Sequence, residues 1–335
     1  MRDNHTSVSV TEPTPAAELI RAEIAREGPI GFDRFMELAL YAPGAGYYVR
    51  GRDPFGIHGD FYTAEQLQPV FGTLIAQYVA RVRGEMGSPP DFRVVELGAG
   101  RCEMASALCE HDYTPVEALG GGLPEGRITG VVFANEFFDA LPVRVAVRRR
   151  RVFRDMLVGL RQGEFTFVDG APCRGASLEY LRRFYADAES GSVIEIHLNA
   201  LDWLRRIAGV LEGRLLIIDY GYTAREFPRY GEGTLMSYRR HTASPDVLAD
   251  PGNRDITAHV PFSVMERELR DAGMEPERFE KLALFLLSVG EADQFAAALA
   301  GADEREALKR RMQLKTLLYG MGETFRVLVA KSARK

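Results

Sequence analysis

Apolar positions along the chain recur with two periods. Ala16 to Arg26 carries Leu19, Ile20 and Ile24 at helical spacing, and Phe32 to Leu40 repeats it with Phe35, Met36, Ala39 and Leu40. Gly28-Pro29 breaks the chain between them. The same period predicts helices over Val70 to Val82, Glu103 to Glu110, Leu178 to Tyr185, Leu198 to Leu211 and Phe262 to Ala272, with further helices to about Leu318. Short unbroken apolar runs read instead as buried strands. They are Val94-Val95, Val131-Val-Phe-Ala134 and, most clearly, Arg214-Leu-Leu-Ile-Ile-Asp219, with Ser192 to Ile196 a shorter one. Val143 to Val147, Val152 to Leu160 and Glu164 to Val168 are strand-like segments in series, Phe285 to Ser288 is another, and Phe325 to Val329 closes the chain.

Strands alternating with helices predict an α/β fold with a mostly parallel, doubly wound sheet. The strands beginning at Val94, Val131 and Leu215 end in acids, an asparagine or glycines, and ligands of such sheets bind at those carboxyl ends. Phe92-Arg-Val-Val-Glu-Leu-Gly-Ala-Gly100 is the sharpest instance. Glycine lets a backbone take positive φ and approach a ligand closely, so Glu96, Gly98 and Gly100 are candidates for the floor of a nucleotide site. The third glycine of a dinucleotide fingerprint is absent at Glu103, which leaves an ordinary strand-turn-helix junction as the alternative.

After the second strand, Asn135, Glu136 and Asp139 either orient a cation or make a capped turn before Pro142. Asp60 and Phe61, within Gly59-Asp-Phe-Tyr-Thr63, are either a lid over the pocket or a surface turn with an aromatic anchor. Asp219 and the Asp255 to His259 stretch offer acids and a histidine without a paired nucleophile, and a lone histidine is more often structural. The basic run Arg148 to Arg151 reads as a solvated strand edge that discourages sheet-to-sheet pairing.

Composition narrows these classes. The chain has 335 residues, 46% hydrophobic and 27% charged, with net charge −5, so no basic field points to nucleic acid. Three cysteines without a C-x-x-C pair argue against a disulfide framework or a metal cluster and for a reducing compartment. No run approaches the roughly 20 apolar residues that span a bilayer. Met1 to Pro15 is polar, with neither a secretory nor a transit-peptide pattern, and the reading from these features is a cytoplasmic protein with a disordered tail over 1–15.

Eight stretches in order resemble the MidA family of class I methyltransferases dependent on S-adenosyl-L-methionine (SAM), a family that includes the mitochondrial complex I assembly methyltransferase. They are Gly28 to Met36, Tyr41-Ala-Pro-Gly-Ala-Gly-Tyr-Tyr48, Gly59 to Thr63, Val95 to Gly100, Ala134-Asn-Glu-Phe-Phe-Asp-Ala-Leu-Pro-Val143, Ile218 to Gly221, Gly233 to Leu235 and Asp255-Ile-Thr-Ala-His-Val260. The Asn135 to Val143 block is the most specific of them.

The resemblance implies a Rossmann-like class I methyltransferase core over 91–335, with a β-rich insertion at about 143–190. An N-terminal helical cap and lid would cover 16–90. It implies SAM as cofactor, bound by Asp60, Phe61, Glu96, Gly98, Gly100, Glu117 and Asn135, and catalytic roles for Glu136 and Asp139. It implies methylation of an arginine side chain on a protein partner, a respiratory-complex subunit among the candidates. A small-molecule acceptor, or a degenerate homologue that only binds a partner, are the alternatives.

The chain departs from the family where Cys102 and Ala107 stand in the glycine turn, and at Glu65-Gln66 of the lid. The span from Gly100 to Asn135 is short. Either Glu117 ends a retained second strand at the ribose position, or Pro115 to Leu119 is the loop before a deleted strand, with adenosine binding crippled or rebuilt.

Overall fold

The computed structural model describes residues 13–50, 67–118, 121–301 and 303–333. Its centre is a seven-stranded sheet. Six strands run across it in the order Met274–Lys281, Phe325–Ser332, Leu211–Tyr222, Ile128–Asn135, Arg93–Leu97, Asp112–Val116. The last four are mutually parallel, and Val260–Pro261 adds a short parallel pairing at Gly221 and Tyr222. Phe325–Ser332 and Met274–Lys281 close the other side antiparallel.

Side chains alternate across a strand, so each parallel strand feeds two cores. Val94, Val131, Phe133, Leu216 and Ile218 pack on one face against Phe71, Leu74 and Ile75 of helix Val70–Glu85 and against helix Leu282–Gly290. Val95, Val132, Ala134, Leu215 and Ile217 pack on the other against Trp203, Leu204 and Ile207 of helix Leu198–Val210 and Met265 and Leu269 of helix Phe262–Asp271. This is the α/β arrangement the alternating pattern predicts.

The strands at Arg144–Arg149, Val152–Arg161, Glu164–Pro172 and Val193–Ile196 form a separate antiparallel sheet, which Ile30–Gly31 joins at Val158 and Leu157. Helices Pro15–Glu27 and Phe32–Tyr41 share a core with it through Ile20, Phe32, Phe35, Met36, Val145 and Val158. The first two helices therefore pack on this antiparallel sheet, whereas helix Val70–Glu85 packs on the central one. Thr14 caps the first helix by accepting from the Ala17 N–H at 3.0 Å, and residues 1–12 of the expected tail lie outside the described residues.

Three expectations are corrected. Glu103 to Glu110 forms successive turns rather than a helix. Cys102 takes φ +55°, which breaks a right-handed helical run at its start, while Met104 and Leu108 still bury against the sheet. Phe285 to Ser288 belongs to a helix, not a strand. Leu282, Phe285, Leu286 and Val289 are buried at helical spacing, and the neighbouring strand is the charged Met274–Lys281 edge. Arg148 to Arg151 is a hairpin tip rather than a sheet edge. Arg148 and Arg149 pair with Phe153 and Val152, Arg150 turns at φ +55°, and the Arg148 guanidinium lies 4.4 Å over the Phe153 ring.

The helical register at Leu282–Gly290 makes a prediction that a strand would reverse. Leu286→Ala, emptying a fully buried site, lowers unfolding free energy by about 2–4 kcal/mol, whereas Leu287→Ala, on the exposed side, costs under about 1 kcal/mol. Denaturant titration of both variants measures this, and equal costs would contradict the helix.

Candidate functional site

All four long parallel strands end at one edge, and the glycine turn sits on the strand beside the outermost. Gly98 holds φ +71° and Gly100 φ +50°. A Cβ built on Gly98 would lie 2.9 Å from Cδ2 of Phe137, so the backbone there is packed as close as glycine permits. The Gly98 N–H donates to the Val116 carbonyl at 2.7 Å, and the Gly100 N–H donates to Glu117 Oε1 at 2.9 Å.

That geometry decides between the two readings of the short span. The second strand is present as Asp112–Val116, parallel to Arg93–Leu97, and Glu117 stands exposed at its carboxyl end. The economy lies afterwards, because residues 121–127 return to the Ile128 strand without a helix. Glu96 is fully buried and accepts a short hydrogen bond from the Tyr113 hydroxyl on the adjacent strand. Burial, with Glu96 beside it, pushes the Tyr113 phenol well up.

The Asn135 to Pro142 block turns sharply out of its strand. Glu136 takes φ +51°, an unfavourable conformation for a side-chain-bearing residue, while its N–H still donates to the Ile218 carbonyl at 2.9 Å. The turn is held by Asp219. Its Oδ2 accepts from the N–H groups of Phe138 (3.1 Å) and Asp139 (3.3 Å), and its Oδ1 from the N–H of Tyr220 (2.9 Å). Asn135 Nδ2 donates to Glu136 Oε1 at 3.3 Å. Asp219 therefore caps the turn.

Both aspartates are buried, and burial is the main cause of their raised pKa values. Asp139 is pushed up to about 6, with the Tyr220 hydroxyl drawing it partly back. Asp219 goes well above its usual range, with Asp139 and Glu136 adding repulsion.

The glycine-rich turn at Tyr41 to Tyr48 closes the far wall. The Tyr41 and Tyr48 rings stack at 5.5 Å. The Tyr41 hydroxyl donates to the Ala140 carbonyl at 2.9 Å, and the Tyr48 hydroxyl donates to Asp255 Oδ1 at 2.7 Å. Burial chiefly, and then Asp139 and Asp255, push up the phenols of Tyr41, Tyr48 and Tyr238, so the two carboxylates border one space from different elements. His259 lies between the rings of Tyr220 and Tyr230, and burial lowers its pKa, which fits a structural histidine.

The structure thus gathers Glu96, Gly98, Gly100 and Glu117 at one end of the strand edge and Asn135, Glu136 and Asp139 at the other. Asp60 and Phe61 lie outside the described residues. The sequence reading missed Asp219 as the organiser of the turn, and Tyr41, Tyr48 and Tyr238 as its wall. An acid closing the most apolar strand was the one available signal. Among the described residues no cluster of three metal-ligating side chains occurs, and no helix is long and apolar enough to cross a membrane.

Comparison with known proteins bears on this arrangement. Residues 113–280 match the family described as "Putative S-adenosyl-L-methionine-dependent methyltransferase". The chain is similar to a solved protein from Burkholderia thailandensis bound to S-adenosyl-homocysteine, at 33% identity and a TM-score of 0.84, covering 96% of this chain and 92% of that one. It is also similar to the mitochondrial protein arginine methyltransferase NDUFAF7 homolog of Drosophila melanogaster, at 27% identity over 74% of this chain and 68% of that protein. The Homo sapiens NDUFAF7 protein arginine methyltransferase is 24% identical over 76% and 68%. The two NDUFAF7 relatives are mitochondrial proteins, which overturns the cytoplasmic assignment drawn from the N-terminus.

Asp139 ties this site to stability. Below about pH 4 its carboxyl is protonated whether the chain is folded or unfolded. As pH rises toward about 6 the unfolded chain releases the proton first, so stability falls, and above that the penalty is constant. Asp139→Asn is therefore expected to raise Tm by about 2 °C or more at pH 8 and to leave it unchanged near pH 3, below the unfolded carboxyl's range. Thermal melts at the two pH values check this, and equal shifts at both would contradict the buried-carboxylate account.

Proposed function

The chain belongs to the S-adenosyl-L-methionine-dependent methyltransferase family matched over residues 113–280, and from that premise we propose that its acceptor is an arginine side chain of a protein partner. The observation that carries the reading is the charge of the acceptor edge. Asp139 and Asp219 are buried, and the charged neighbours that act on Asp219 are Asp139 and Glu136, both anions. A guanidinium is the complementary ligand, with five N–H donors in a plane, no acceptor and a permanent charge. The printed names of the curated relatives support the same acceptor. The family resemblance makes a respiratory-complex subunit the kind of partner to test first.

SAM supplies an electrophilic methyl group when bound. Gly98, where the backbone leaves no room for a Cβ, and Gly100, at positive φ, would meet its methionine portion. Glu117, with one oxygen on the Gly100 N–H, keeps the other for the ribose hydroxyls. Glu96 would support the floor from the sheet, Asn135 would border the methionine end, and Asp60 and Phe61 would form the lid. Glu136 and Asp139 orient the guanidinium, and Asp139 would take the proton that the attacking nitrogen loses as its bond to the methyl carbon forms, the methyl–sulfur bond breaks and S-adenosylhomocysteine is left. Holding nitrogen and methyl in line is the larger part of the catalysis, since the reaction requires little else from the protein.

Titration calorimetry with SAM and S-adenosylhomocysteine tests both halves. Glu117→Gln weakens both ligands by about tenfold, the worth of one lost charged hydrogen bond. Asp139→Asn keeps their affinity and loses turnover by about a hundredfold or more. Wild-type affinity in the first variant, or wild-type turnover in the second, would count against these roles.

A further inference from the structure

Among the described residues, three buried side-chain oxygens at the acceptor edge have no hydrogen-bond partner: Asn135 Oδ1, Asp139 Oδ1 and Thr257 Oγ1. Their residues are 4%, 4% and 2% exposed. Folded proteins seldom leave buried polar atoms unpaired, so such atoms gathered in one place call for a ligand.

Thr257 belongs to the strand Asp255–Thr257, which pairs antiparallel with Met236–Arg239 and is no part of the central sheet. The next residue, Ala258, donates its N–H to the Asp139 carbonyl at 2.9 Å, which fixes Thr257 beside the Asn135 to Pro142 block. The Tyr220 hydroxyl lies close enough to be influenced by both Asp139 and Thr257, as does that of Tyr238. These approaches have hydrogen-bond character, yet none reaches full hydrogen-bond geometry at Thr257 Oγ1 or Asp139 Oδ1. Contacts of this kind are often long in a free enzyme and tighten on the substrate complex.

We propose that Thr257 is a specificity-determining residue of the acceptor site, its Oγ1 accepting one N–H of the guanidinium while Asp139 Oδ1 accepts another. The inference rests on the arginine reading given above. Two acceptors on separate elements match a planar fork of N–H groups. A lysine ammonium, which presents its three donors from one point, cannot span them in the same way.

The test uses the full-length protein with SAM, an arginine-bearing peptide and its lysine-substituted counterpart. Thr257→Val keeps the shape and removes the oxygen; Thr257→Ser keeps the oxygen. Thr257→Val is expected to raise KM for the arginine peptide by about tenfold with kcat and SAM affinity within about threefold of wild type, and Thr257→Ser to restore KM.

An unchanged KM in Thr257→Val would overturn the inference while leaving the arginine reading intact. Equal impairment in Thr257→Val and Thr257→Ser would overturn it too, since packing alone would then be at work. A wild-type protein that binds SAM but methylates the lysine peptide and not the arginine peptide would overturn both.

Discussion

The acceptor edge of this protein depends on one carboxylate. Asp219 closes the most apolar strand of the central sheet and receives the N–H groups of Phe138, Asp139 and Tyr220. Two of these main-chain donors, the buried N–H groups of Phe138 and Asp139, are satisfied by a side chain from the neighbouring strand, and the third belongs to the residue next to Asp219 on its own strand. The sharp exit of the chain at Glu136, with its unfavourable φ, is held by this contact and by the pairing of Glu136 with Ile218. The repulsion and desolvation that raise the Asp139 and Asp219 carboxyls follow from the same placement. Binding of a cation would offset a cost already built into the folded chain, which is a familiar trade between stability and function.

The cofactor end shows how little of a sheet such a site requires. Asp112–Val116 is an outer strand with Pro115 in it, and among the described residues only Arg93–Leu97 pairs with it. Proline on an edge strand removes a donor that a second chain could otherwise extend. The short strand nonetheless delivers Glu117, the position expected to bind ribose, to the Gly100 amide, and residues 121–127 lead on to the next strand without a helix.

Much of the fold was legible from periodicity, because Val94, Val131 and Leu215 head runs too apolar to lie anywhere but a sheet buried on both faces. The failures have physical causes. Leu284 and Leu287 are exposed yet apolar, so Phe285 to Ser288 carried no amphipathic signal to mark it as a helix. Glu103 to Glu110 had helical spacing, but the left-handed Cys102 lies in backbone conformation, which periodicity does not report. At the site, the strand-end residues Glu96, Asn135 and Asp139 were legible since position along a strand fixes their edge. Tyr41, Tyr48, Tyr238 and Thr257 were not, because the cap and the small antiparallel sheet reach the edge only through tertiary packing.

The central claim is that methyl transfer here ends on an arginine nitrogen. It is tested most directly by supplying the wild-type protein with isotopically labelled SAM and a methylation-depleted cell extract, then locating the label by tandem mass spectrometry. Label confined to arginine side chains of protein is the predicted result. Label on lysine, on a carboxylate or on a small molecule would contradict it.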